Sequence, residues 1–225
     1  MCDWKKKFNK ELDSLSGRYS RYTIFSDFIQ MFTLAIANQT PSFFHEEREK
    51  RYLALAKKYT PDELDTFGKM GAMLIHAIRK NPNRDFLGEL HMEQTFGSGA
   101  RSQFFTHVYC TMAKLAGPLE KGPDEEYILV CDPACGAGAL LIATANNYNG
   151  NAKKDLFLVG QNIDFLSGCM CYLQLSIMGY AGCVLIGDSL SNPPTENSIN
   201  IKNPNAWFFP ACFTAHWENQ FTKEN

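Results

Sequence analysis

Between two apolar runs the chain reads Asp132-Pro133-Ala134-Cys135-Gly136-Ala137-Gly138-Ala139. Glycines at 136 and 138 allow a tight backbone turn and a close approach to a ligand. Two glycines alone also occur in tight turns that bind nothing. A pyrophosphate site needs a third glycine at a helix N-terminus, and position 141 is Leu. The acidic residue before the glycines also disfavours a phosphate. It suits a cationic or hydroxyl-bearing ligand such as S-adenosylmethionine, whose methionine end carries an ammonium and whose sulfur is positive.

Two more carboxylates stand where apolar runs end. Asp164 closes the run from Leu156, 26 positions after Gly138. An α/β nucleoside site puts a carboxylate there for the ribose hydroxyls. The same side chain can cap a following helix, and the two roles are compatible. Asp188, in Gly187-Asp188-Ser189-Leu190, can accept an adenine exocyclic amine or shape a turn. Asn192-Pro193-Pro194-Thr195 follows almost at once. It reads as a proline-rich loop, or alternatively as a polar cradle for a reacting amine.

Positioning such groups at one edge requires a sheet. Tyr127–Cys131, Leu156–Ile163 and Cys183–Ile186 are short apolar runs, read as buried strands. Ala139–Ala145 and Leu166–Met178 between them read as helices. Strand, helix, strand, helix, strand predicts an α/β domain with a parallel sheet and right-handed crossovers. Ala206–Ala211 is a candidate fourth strand. The first hundred residues read as helical. Ile24, Phe25, Phe28, Ile29, Phe32, Ala35 and Ile36 recur at helical spacing. Thr60-Pro61-Asp62-Glu63 is a capping box with proline at the first helical position. That helix is expected to stop before Asn81-Pro82. Further helical stretches are expected over Asp85–Met92 and 103–116, the last ended by Gly117-Pro118.

With 45% hydrophobic and 20% charged residues, the composition is that of a soluble globular chain. A formal net charge of −2 excludes a nucleic-acid polycation. Lys5, Lys6, Lys7, Lys10, Arg18 and Arg21 form a local basic stretch, either a solvated, frayed terminus or a phosphate-contacting arm. No apolar run reaches the ~18 residues of a membrane span, and no signal-peptide core opens the chain. Cysteines such as Cys131, Cys169, Cys171 and Cys183 lie in apolar runs and read as reduced, buried thiols of a cytoplasmic protein. Without a Cys-x-x-Cys pair, no structural zinc is expected.

Asp132 to Gly138 resembles the cofactor loop of the N6-adenine DNA methylases related to modification subunits of type I restriction systems. Arg101-Ser102-Gln103-Phe104-Phe105-Thr106-His107 is similar to that family's Gly-Gln-Phe-Phe-Thr-Pro segment, with Ser102 and His107 in place of glycine and proline. Gly160-Gln161-Asn162-Ile163-Asp164 and Gly187-Asp188-Ser189-Leu190 resemble its second- and third-strand segments. The likeness runs along most of 85–190. It implies a Rossmann-like S-adenosylmethionine-dependent methyltransferase domain over 101–225, with an incomplete sheet, behind a helical N-terminal domain over 1–100. It implies cofactor contacts from Gln103, Phe104, Phe105, Thr106, Asp132, Pro133, Ala134, Gly136, Gly138, Asp164 and Asp188. Phe104 and Phe105 point about 100° apart on a helix, so one is expected in the core and the other over the pocket.

The family also carries an Asn/Asp-Pro-Pro-aromatic motif after the fourth strand, which holds the flipped adenine. Here Asn192, Pro193 and Pro194 lie too close to Asp188 to follow a fourth strand, and Thr195 offers no stacking ring. Ala206–Ala211 has no Asn-Pro-Pro. The resemblance therefore implies either a DNA adenine-N6 methyltransferase or methylase subunit, or a catalytically impaired cofactor-binding accessory subunit. DNA and a specificity or partner subunit are the implied partners.

Overall fold

The computed structural model describes residues 3–39, 44–96 and 102–221, with side chains for all of these but 3, 96, 102–107 and 219–221. The chain opens with five helices: α1 (Asp3–Ser14), α2 (Arg21–Ala37), α3 (Glu46–Ala56), α4 (Pro61–Lys80) and α5 (Phe86–Phe96). The basic stretch is not a frayed end. Its four lysines lie on α1, whose Phe8 and Leu12 are fully buried, while Arg18 stands in the following turn and Arg21 opens α2. Lys5 pairs with Glu93, and Arg21 pairs with Asp13 at 3.1 Å.

The expected capping box starts α4. Glu63 N donates to Thr60 Oγ1 at 3.3 Å, and Thr60 N donates to Glu63 Oε2 at 2.7 Å. Thr60→Ala removes one acceptor from the open helix end, which typically costs about 1 kcal/mol. Thermal unfolding should shift down by about 2–4 °C. An unchanged midpoint would show that α4 is held by packing alone.

Helix α6 (Ser102–Leu115) leads to β1 (Ile128–Asp132). Then come α7 (Ala139–Asn147), the short α8 (Ala152–Asp155), β2 (Leu156–Asn162), α9 (Phe165–Met178) and β3 (Ala181–Ile186). β1 pairs with β2 and β2 with β3, both parallel, with Val130 beside Leu158 and Val159 beside Cys183. α9 is buried almost all round, from Leu166 through Leu175. A helix apolar on every side must be enclosed. Gly168 lets it lie on Ile186 of β3, and Thr33 of α2 donates to the Cys169 carbonyl from the other side at 3.3 Å. One hydrophobic core therefore runs from Phe8 of α1 to Phe209, through α9.

The expected parallel sheet holds for three strands. The fourth, β4 (Ala206–Phe208), pairs antiparallel with the outer edge of β3, Trp207 beside Val184. Residues 187–205 contain turns and no helix. A parallel return needs a crossover long enough to regain the starting end of the sheet, usually a helix; without one, the chain turns back at the C-terminal edge and runs antiparallel. The candidate strand is also shorter than Ala206–Ala211, because Pro210 begins a 3-10 turn over Pro210–Phe213. The sheet order is β1-β2-β3-β4, which leaves β1 at an edge.

On the face away from α9, Phe157, Cys183 and Phe208 pack under Trp217 of α10 (Ala215–Phe221). This cover does not reach β1. Leu129 is 45% exposed, and Cys131 is exposed rather than buried as its apolar run suggested. Edge position is the cause: alternation turns both side chains to the thinly covered face. The other described cysteines are free thiols, with Cys169, Cys171 and Cys183 buried as expected. Among the described residues no helix is long and apolar enough to cross a membrane.

Candidate functional site

A cleft of about 430 Å3 opens at the C-terminal end of β1. Its floor is the loop after the strand, with Asp132, Ala134, Cys135 and Gly136. This loop is tied to the sheet: Cys135 N donates to the Gln161 carbonyl at 3.0 Å, and Gly138 N to the Cys135 carbonyl at 2.7 Å. Both glycines are left-handed, with φ +52° at 136 and +95° at 138. They serve different ends. A Cβ on Gly136 would meet nothing within 4 Å, and its backbone faces the cleft. A Cβ on Gly138 would stand 3.0 Å from Cys171 Sγ, so that glycine lets α7 start against α9. Leu141, where a pyrophosphate loop would have glycine, is buried in the core.

The opposite wall is α5, which the sequence marked only as helical. Asp85 precedes it and accepts from Gly88 N at 2.8 Å, the geometry of an N-cap. The same Oδ1 accepts from Gln174 Nε2 at 2.8 Å. Gln174, fully buried on α9, also donates to the Ala137 carbonyl at 2.8 Å and accepts from Leu87 N at 3.1 Å. One amide thus joins the glycine loop to the start of α5. Asp85, Glu89 and His91 line this wall, Tyr109 and Met112 of α6 line another, and Ser167 closes the side toward α9.

Charge in the cleft is acidic and only partly balanced. Glu89 is held by a bidentate pair with Arg84. Among the described residues Asp85 and Asp132 have no cation beside them; burial pushes both carboxyls up, opposed by the hydrogen bonds they accept. Asp132 accepts from Ala134 N at 3.0 Å. Burial also pushes the Tyr109 hydroxyl up, with Asp85 and Asp132 adding to it. His91 is pushed down by burial, and its Nδ1 is buried with no hydrogen-bond partner among the described residues.

The residues singled out in the sequence are only partly gathered here. Asp132, Ala134 and Gly136 line the cleft; Pro133 is exposed beside it, and Gly138 lies behind it. Asp164 is not in the cleft's lining but caps α9 next to it: Ser167, which lines the cleft, donates its N to Asp164 Oδ2 at 2.7 Å, and Asp164 Oδ1 has no hydrogen-bond partner among the described residues. Asp188 is taken up by its own turn, accepting from Leu190 N at 2.9 Å and Ser191 Oγ at 3.0 Å. The side chains of Gln103, Phe104, Phe105 and Thr106 fall outside the described residues, so the expected division between the two phenylalanines does too. Asn192, Pro193 and Pro194 lie on a loop that Gln161 Nε2 tethers by the Asn192 carbonyl at 2.9 Å.

The N-6 DNA methylase family model matches residues 86–225, more than half of the chain. The chain belongs to that family. No curated protein and no solved structure matches it. The N-6 DNA methylase match begins at Phe86, the first residue of α5, and covers the helix that walls the cleft as well as every strand. Sequence reading missed Asp85, His91 and Gln174. An Asp ahead of a helix signals only a cap, and a lone polar residue in an apolar helix reads as a core exception until its partners are known.

Proposed function

We propose that the cleft binds S-adenosylmethionine and that the chain is the cofactor-holding part of a DNA adenine-N6 methylase. The observation that carries this reading is the pair of carboxylates, Asp85 and Asp132, facing one cleft beside a left-handed glycine, with no cation between them among the described residues. Such a cleft fits a ligand that brings its own positive charge. The orphaned His91 Nδ1 supplies a further polar contact inside it. Asp164 Oδ1, beside the cleft-lining Ser167, is available to a ribose hydroxyl. When bound, S-adenosylmethionine supplies the methyl carbon. The protein's part is to fix that ligand against the Asp132–Gly138 loop and to keep water from its charged end. The division into a helical part over 1–100 and a methyltransferase-like part over 101–225 belongs to this proposal. It is supported by the confinement of all four strands to the second part.

Calorimetry tests it. S-adenosylmethionine should bind, and Asp132→Asn should weaken binding by about 1–3 kcal/mol, the scale of a lost charged partner. Equal affinity in the two proteins would remove Asp132 from the site. The affinity should also depend on pH. Burial raises both carboxyl pKa values, so each holds its proton more tightly in the free cleft than it would in water. Their contribution to folding stability is therefore greatest at low pH and declines as pH rises through the ordinary carboxylate range toward the raised values. A bound cation opposes that shift, because it favours the ionised forms. Affinity should fall as the solution is acidified, and binding in the acidic range where the carboxyls titrate should release protons, read from heats in two buffers of different ionisation enthalpy. Proton uptake, or no pH dependence, would count against a carboxylate-lined site.

A specific observation favours the accessory form of this reading. Asn192-Pro193-Pro194 stands on a loop beyond β3, outside the cleft, and the one later strand lies on the far edge of the sheet. No Asn-Pro-Pro-aromatic cradle is therefore presented beside the cleft by the described residues. The chain would then hold the methyl donor while a partner subunit contributes contacts to the adenine.

A further inference from the structure

A second cleft, of about 700 Å3, lies between α1 and α4 in the helical layer. Its charged lining is basic throughout: Lys7, Lys80 and Arg84, with His76 among them. Among the described residues no carboxylate lines it. Trp4 and Phe86 form its aromatic wall, in edge contact at 5.1 Å between ring centres. Lys69, Met73, His76 and Lys80 fall three and four apart, so they form one stripe along α4. Lys69 and Lys80 are exposed and enter no ion pair among the described residues. The only acids of α4 besides Glu63 are Asp62 and Asp65, at its far end before Lys69.

We infer that this cleft and stripe form a docking surface for the phosphate backbone of duplex DNA. At 1.5 Å per residue, Lys69 to Lys80 spans roughly 16 Å of helix axis. That matches about five phosphates of one strand at 3.4 Å axial rise. A single phosphate or free nucleotide would need one focus of donors, not a row. The net charge of −2 makes the row stand out against an otherwise acidic chain. Position supports the same partner. Arg84 lines the basic cleft, while Asp85, Gly88 and Glu89 line the acidic one. The first turn of α5 is thus the shared wall, and the Arg84–Glu89 pair passes from one cleft to the other. DNA held on α4 would lie next to the site proposed for the methyl donor. The inference rests on that reading for its biological sense, but not for its test.

Fluorescence anisotropy of a short labelled duplex provides the test, using the full chain and no cofactor. The double variant Lys69→Gln with Lys80→Gln should bind roughly ten-fold more weakly at low salt. The plot of log affinity against log salt should become shallower by about two, near one for each lost phosphate contact. Lys154→Gln, on exposed α8 at the opposite end of the strands, should match wild type. Circular dichroism of the variants should be unchanged, because the altered side chains are exposed. No duplex binding by wild type, an unaltered affinity and slope in the double variant, or an equal loss in Lys154→Gln would each overturn the inference. So would a labelled mononucleotide that binds tightly and loses affinity in the double variant while the duplex does not. Failure to bind S-adenosylmethionine in calorimetry would overturn the methyl-donor reading alone.

Discussion

Single-turnover transfer of labelled methyl from S-adenosylmethionine to adenine-rich duplex by the purified chain is expected to be indistinguishable from a protein-free control. Holding a cofactor does not by itself lower the barrier, since only contacts made more strongly in the transition state do so. In an adenine-N6 transfer those contacts must hold the amine and stack the extruded base. Losing one preorganised polar contact to a reacting group commonly costs about 10²–10³ in rate, and the described residues present no Asn-Pro-Pro-aromatic cradle beside the cleft. Asn192 is exposed, with its Nδ2 resting on Ser191 Oγ at 3.4 Å and its carbonyl taken by Gln161. Asn192→Ala should therefore change nothing. Robust transfer that this substitution abolishes would show that the loop swings into the site and is catalytic. Robust transfer indifferent to it would place the amine contact on an unassigned group.

Gln174→Leu is expected to be the most damaging single change near the site. The two side chains are close in size, so packing survives while three hydrogen bonds disappear. Leu87 N and the Ala137 carbonyl lose their side-chain partner, and Asp85 keeps only the bond from Gly88. A buried group left unpaired costs about 1–3 kcal/mol, so a total near 3 kcal/mol is expected. At this chain length that lowers the thermal midpoint by about 6–12 °C. Cofactor affinity should fall as well, because the amide is what fixes Asp85 and the glycine loop relative to each other. A midpoint within about 2 °C of wild type would show that the start of α5 is held by its apolar contacts, Leu87 and Leu90 above all.

Local order was plainly written in the residues. Thr60 to Glu63 specify their capping box because both partners lie within one turn. Asp132 to Gly138 specify a left-handed turn after a strand, because only glycine adopts those angles without strain. The runs at 156 and 183 are strands flanked by helices, and the parallel pairing of β1, β2 and β3 follows from the helix between each pair. Asp164 could be recognised as a cap from its position before an apolar helix.

The sequence by itself therefore determined the secondary elements, the three parallel strands, the glycine turn after β1 and the family to which they belong. What it could not determine are relations among residues far apart along the chain. Gln174 meets Asp85 across 89 positions, and nothing near either residue announces the other. β4 lands on β3, not β1, because the connection lacks a helix and the open edge of β3 is the one within reach. Cys131 is apolar in context yet exposed, since cover on its face of the sheet stops before the edge strand. The charges of Lys80 and Asp85 become two distinct clefts only when α5 stands between them. Capping and turn preferences act over a few bonds and can be read directly, whereas burial, edge position and charge pairing depend on which surfaces finally meet.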